Sequence, residues 1–130
     1  MLFRSIPYVE TCLRDPEETT RSTAAMAMRF IPEEKADSLL ANALKIEGSL
    51  SVRNNILDAI GYRKPSRVAF VSLVEIISKE NSEELRVKQA HLLWKMRKEF
   101  PEAEEIVKRC ARGDASENVR TSVQNMMLTD

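Results

Sequence analysis

Four arginines, Arg21, Arg53, Arg86 and Arg120, stand 32, 33 and 34 residues apart, and the residues around them recur with them. Six residues before each is an acid: Asp15, Glu47, Glu80 and Asp114. The residue just before each arginine is Thr20, Val52, Leu85 or Val119. Six and seven residues after it come Ala27-Met28, Ala59-Ile60, Leu92-Leu93 and Met126-Met127, all apolar. Three and four after it stand Ala24-Ala25, Ile56-Leu57, Gln89-Ala90 and Val123-Gln124. Apolar residues at these offsets form one stripe of a helix. The position between the pairs, held by Met26, Asp58, His91 and Asn125, is expected to face water. A period near 33 marks a repeat architecture, in which no unit buries its apolar side alone.

Turn signals between the stripes divide the chain into eight expected helices, at about 6–14, 17–31, 33–47, 50–62, 66–77, 82–96, 101–113 and 116–128. Pro7, Pro32 and Pro101 stand near helix starts, where the missing N–H costs nothing. Ser66, Ser82 and Ser116 are expected N-caps. Gly48, Gly61 and Gly113 read as helix stops, so no glycine-rich loop is left to cradle phosphate. The segment from Val68 to Ile77 is apolar and β-branched enough to compete as a strand. Its length between turn signals favours helix.

Charge narrows the function classes. Lysine plus arginine and aspartate plus glutamate each number 20, and residues 1–65 hold nine of each sign, so no net field steers the chain to nucleic acid. No apolar run approaches the roughly 20 residues of a membrane helix. The N-terminus lacks a signal-peptide pattern, from which a cytoplasmic location is expected. Cys12 and Cys110 are nearly a hundred residues apart, and His91 is the only histidine, so no zinc-ligand spacing exists. The two thiols are expected to be free and buried on their helices. Acid pairs such as Glu33-Glu34, Glu83-Glu84 and Glu104-Glu105 fall at helix starts, where solvated charge is stabilised by the helix dipole. No catalytic residue, cofactor site or metal site is identified, and an enzyme is not expected.

An acid, a five-residue gap, Val-Arg, then Ala and Leu at helical spacing resembles the HEAT repeat, in the short form of the phycobilisome-lyase HEAT-like family. The resemblance covers nearly the whole chain. Tetratricopeptide and ankyrin repeats share the period, but the Trp-Leu-Gly-Tyr and Thr-Pro-Leu-His signatures are missing. Thr20 replaces the usual Val, and Trp94 and Arg29 stand where the family often has a small residue. The resemblance implies an all-α fold, an α-α superhelix of about four helical hairpins in one domain spanning 1–130. It also implies that Asp15, Arg21, Glu47, Arg53, Glu80, Arg86, Asp114 and Arg120 form a structural ladder linking consecutive repeats.

By the same resemblance the helices beginning near Glu33, Ser66 and Glu102 line an inner surface. Their outward residues, Asp37, Asn42, Lys45, Arg67, Glu75, Lys79, Glu105, Lys108, Arg109 and Arg112, are the expected partner contacts. This mixed-charge face suits a protein or peptide, with charge setting partner choice. Tyr62, Trp94 and Phe100 are the candidate aromatic anchors, each more at home in a core. The expected function is a non-catalytic adaptor or scaffold. Two alternatives stand beside it: an assembly factor or lyase-like subunit related to bilin lyases, and nucleic-acid binding along Lys88, Lys95, Arg97, Lys98, Lys108, Arg109 and Arg112. The neutral overall charge counts against the last. Apolar residues of the last helix, Val119, Val123, Met126, Met127 and Leu128, leave end-to-end self-association open.

Overall fold

The computed structural model describes residues 6–129, and among these there are eight α-helices and no strand. They are α1 (Ile6–Cys12), α2 (Glu18–Ala27), α3 (Lys35–Ile46), α4 (Leu50–Tyr62), α5 (Arg67–Ile77), α6 (Glu83–Lys95), α7 (Glu102–Gly113) and α8 (Glu117–Thr129). A 3-10 turn, Met28–Phe30, closes α2. The β-branched segment is helix α5. The four register arginines lie in the first turns of α2, α4, α6 and α8, which we term the arginine-bearing helices.

The chain divides into two compact units, Met1–Ala69 and Phe70–Asp130, with the division inside α5. In the first unit α4 packs on both α2 and α3, and α1 packs on α2. Ala25 and Met28 of the α2 segment, Leu40 and Leu44 of α3, and Val52, Ile56 and Leu57 of α4 are essentially excluded from water. In the second unit α6, α7 and α8 pack on one another. Leu93, Val107, Val119 and Val123 form its fully buried centre together with Leu73 of α5. Both cores therefore join the recurring stripe of the arginine-bearing helices to apolar residues of α3, α5 and α7, and the alanines of the stripe allow the close approach that larger residues fill.

The helix starts repeat as the stripe does. The hydroxyls of Ser49, Ser82 and Ser116 accept the N–H groups of Val52, Leu85 and Val119 at 3.2–3.3 Å, and Ser66 does the same for Ala69 at 3.1 Å. Each satisfies a donor that the first helical turn would leave orphaned. In the first copy Glu17 occupies this position and makes no side-chain cap.

Three expectations need correction. Gly113 ends α7 and Gly48 follows the end of α3, as expected of helix stops, but Gly61 lies within the last turn of α4, which runs on to Tyr62. Cys12 and Cys110 are free but only half-buried. Gln89, in the apolar stripe, is completely buried because it serves a buried carboxylate: its amide donates to Glu80 Oε1 at 3.0 Å. His91 and Asn125 are exposed, as their register requires, whereas Met26 and Asp58 are half-covered.

Candidate functional site

Arg21 and Arg86 are placed alike, and their surroundings define the ladder. The Arg21 Nε and Nη2 donate to the two oxygens of Glu47 at 2.9 and 3.1 Å, and its Nη1 donates to the carbonyls of Asp15 and Pro16. The Arg86 Nε and Nη2 donate to Asp114 at 2.9 and 3.0 Å, and its Nη1 to the carbonyls of Glu80 and Asn81. In each case one edge of the guanidinium holds the loop before its own helix, and the other forks onto the acid of the next repeat. Every ladder acid also accepts the N–H two residues on: Asp15 from Glu17, Glu47 from Ser49, Glu80 from Ser82 and Asp114 from Ser116, at 2.9–3.0 Å. Arg120 Nη1 donates to the Asp114 carbonyl at 2.5 Å.

This geometry sets ionisation. Burial pushes the Glu47 carboxyl up, but hydrogen bonds from Arg21 and from the Ser49 amide outweigh it and hold the group below its ordinary value of 4.5. Burial likewise raises Asp114, and Arg86 with the Ser116 amide brings it below its ordinary 3.8. The Glu47 and Asp114 bonds in turn raise Arg21 and Arg86, which stay charged throughout. The unfolded chain therefore binds more protons than the folded one at acid pH, and stability falls as pH drops through the ordinary carboxylate values toward the lowered ones. The urea midpoint is expected to be level from about pH 7 to about pH 5 with respect to these groups and to fall below that. Glu47→Gln should flatten part of the fall, and an unchanged slope in that variant would remove Glu47 from the account.

A second link, absent from the repeat pattern, lies at the opposite ends of the same helices. Arg63, just past α4, donates from Nε to Asp37 Oδ1 at 2.7 Å, from Nη1 to the carbonyls of Met28 and Ile31, and from Nη2 to the Glu33 carbonyl at 3.0 Å. Both side chains are about nine-tenths buried. Asp37 is thus not the outward partner contact expected of it. It is the one charged residue among the buried residues of α3, and the fork it binds holds it there. The pair does not recur: Ile31 and Met96 occupy the Arg63 register in the first and third copies, and of the residues in the Asp37 register of the next two, Phe70 and Glu104, only the second is an acid.

The other expected contacts are at the surface. Asn42 and Lys45 are exposed on α3, Arg67 and Glu75 on α5, and Lys79 just beyond it. On α7, Glu105, Arg109 and Arg112 are exposed and Lys108 is half-buried. Arg112 pairs with Glu105 at 3.2 Å, and Lys108 lies 3.9 Å from Glu104. Within the second unit α5 and α7 border an open groove of about 580 Å³, whose lining includes the apolar Val74, Ile77 and Ile106, Cys110, and the charged Glu80, Arg86, Arg109 and Asp114. Burial raises the Cys110 thiol, which makes it a poor nucleophile, and His91 is not among the groove's residues.

Of the aromatic anchors, Trp94 is buried, with the Arg97 guanidinium 4.1 Å from its ring centroid, and Phe100 stacks on Phe70 at 4.9 Å. Tyr62 is 63% exposed and meets Phe30, 51% exposed, edge to face at 5.5 Å. Arg29 lies 4.8 Å from the Phe30 centroid and 5.7 Å from that of Tyr62. These three residues wall a second cleft of about 510 Å³ in the first unit, with Ile31, Pro32 and Pro65. Sequence does not single out Phe30 for a surface role, because a Phe at the end of an apolar stripe reads as core. Among the described residues no group of three His, Cys, Asp or Glu side chains could hold a metal ion, and no helix is long and apolar enough to cross a membrane. No protein-family model matches the chain, and no curated protein or solved structure matches it.

Proposed function

We propose that this chain is a short HEAT-like α-α superhelix that acts as a non-catalytic protein-interaction module, taking a segment of a partner protein into the α5–α7 groove. The observation that carries the proposal is the groove itself: a lining of Val74, Ile77 and Ile106 beside Arg109, on two helices expected to face inward. A lining that combines apolar side chains with Arg109 suits a segment with one or two apolar anchors and an acidic flank. The solenoid assignment draws support from the matched forks of Arg21 and Arg86, each joining a repeat to the acid of the next.

Nucleic-acid binding gains nothing from the arrangement. Of the seven basic residues that would form such a face, Arg97 is stacked on Trp94, Arg112 is paired with Glu105 and Lys108 lies against Glu104. Immobilised chain incubated with native cell extract is expected to retain a protein that Arg109→Glu, a surface change, releases. Loss of retention of bound nucleic acid on adding salt would replace this function with nucleic-acid binding, and a coloured adduct would replace it with tetrapyrrole handling. A protein retained equally by the variant would take the groove out of the account.

A further inference from the structure

The cleft walled by Phe30 and Tyr62 holds a cation that the fold fixes in place without neutralising. Arg29 Nε donates to the Met26 carbonyl at 2.8 Å, and the guanidinium lies over the Phe30 ring and near that of Tyr62. Its outer fork, Nη1 and Nη2, meets no carboxylate among the described residues, and neither does the exposed ammonium of Lys64 in the same lining. Arg63 and Asp37, which also line the cleft, are spent on one another. What remains is Arg29 and Lys64 against the acid Glu34, two cations against one carboxylate.

The rings beside that charge lie largely in water. Phe30 and Tyr62 each keep more than half of their surface exposed, while their edge-to-face contact and the guanidinium hold them in one arrangement. Groups already fixed lose little freedom when a partner covers them, and tyrosine and arginine are among the residue types that most often carry binding energy at interfaces. The carbonyls of Met28, Ile31 and Glu33, in the segment that carries Phe30, already accept from Arg63. The rings are therefore better matched to a hydrocarbon ring, which needs no acceptor, than to a nucleobase, whose edge donors would go unmet.

We propose that this cleft docks an acidic segment of a partner protein carrying an aromatic side chain, with the ring against Tyr62 and Phe30, one carboxylate on the Arg29 fork and a second at Lys64. A guanidinium fork and a carboxylate are both planar and pair through two parallel hydrogen bonds. A third ring joins an edge-to-face pair by the same quadrupole attraction that holds the first two. The cleft, at about 510 Å³, has the volume of a pre-formed binding site. Every residue invoked lies in the first unit, so the site stands or fails separately from the α5–α7 groove.

Titration of the full, 15N-labelled chain with the peptide N-acetyl-Glu-Asp-Phe-Asp-Glu amide tests it, read by the backbone amide shifts. Saturable shifts are expected at residues 29–34 and 62–66, with a Kd on the order of 1 mM for one anchor and two charge pairs. The peptide with Ala in place of Phe, and the peptide with Gln and Asn in place of its acids, should each bind at least about fivefold more weakly. Tyr62→Ala and Lys64→Glu alter exposed side chains, so they leave folding intact and should weaken binding of the parent peptide by a similar factor. Arg109→Glu, in the α5–α7 groove, should leave this titration unchanged. Absence of saturable shifts at these residues up to about 10 mM peptide overturns the proposal. So does binding that both Tyr62→Ala and Lys64→Glu leave as tight, or binding that Arg109→Glu abolishes. Adenosine monophosphate bound at the same amides as tightly as the peptide would overturn it in favour of a nucleotide site.

Discussion

Ile60→Asp is expected to abolish the cooperative melt of the first unit. Ile60 is 3% exposed on the α4 stripe, at the second of the two apolar offsets that follow its arginine. Losing the buried isoleucine costs on the order of 2–5 kcal/mol, and a carboxylate in its place adds desolvation with no partner. Domains of this size are stable by only about 5–15 kcal/mol, so the sum approaches the whole. His91→Ala is the matched control, at an exposed position on α6, and should change stability by less than about 0.5 kcal/mol. Circular dichroism against temperature and urea reads both. Equal midpoints would mean that the stripe is not where the repeat pattern puts it.

Arg63→Ala should produce the second-largest loss. It strands the Asp37 carboxylate, which is about nine-tenths buried, and leaves the carbonyls of Met28, Ile31 and Glu33 without a shared donor. Removing one partner of such a pair costs about 3 kcal/mol, or a fall of about 10 °C in Tm for a chain of this length. Arg63→Lys keeps the charge but not the planar fork that reaches four acceptors, and should recover only part of the loss. In a double-mutant cycle with Asp37→Ala the coupling should exceed about 1 kcal/mol. Additive effects, or a Tm for Arg63→Ala close to that of the parent chain, would show that the fork contributes little.

What sequence reveals in this chain is what recurs. The stripe, the serine caps and the acid-to-arginine spacing appear in several copies. Eight helices and their order can therefore be drawn from pattern and period, and Ala25, Ile56 and Leu93 can be assigned to the core before any coordinates. The Arg21 and Arg86 forks are expected only through the HEAT resemblance, and their atoms supply the reason for the spacing: six residues is the reach from the first turns of a helix back to the carbonyl before its start. What occurs once stays hidden. Asp37 looks from its neighbours Glu33 and Glu34 like a solvated charge, and only a chain fold that brings Arg63 beside it makes it buried. Phe30 and Tyr62 meet for the same reason, with no pattern to announce them. The surface positions on α3, α5 and α7 can be placed outside by period. Which of them border a groove depends on how helices lie together, which spacing along one helix does not encode.

Because Arg21 and Arg86 each spend one edge on their own loop and the other on the following acid, every such joint in the ladder is written half in one cassette and half in the next. Lengthening such a protein by duplication needs no new joint to be invented, provided the copied stretch is a whole period. A cut in mid-period would leave a fork facing the wrong acid, so insertions and deletions of about 33 residues are the steps by which a gene of this kind can grow or shrink and still encode a foldable product.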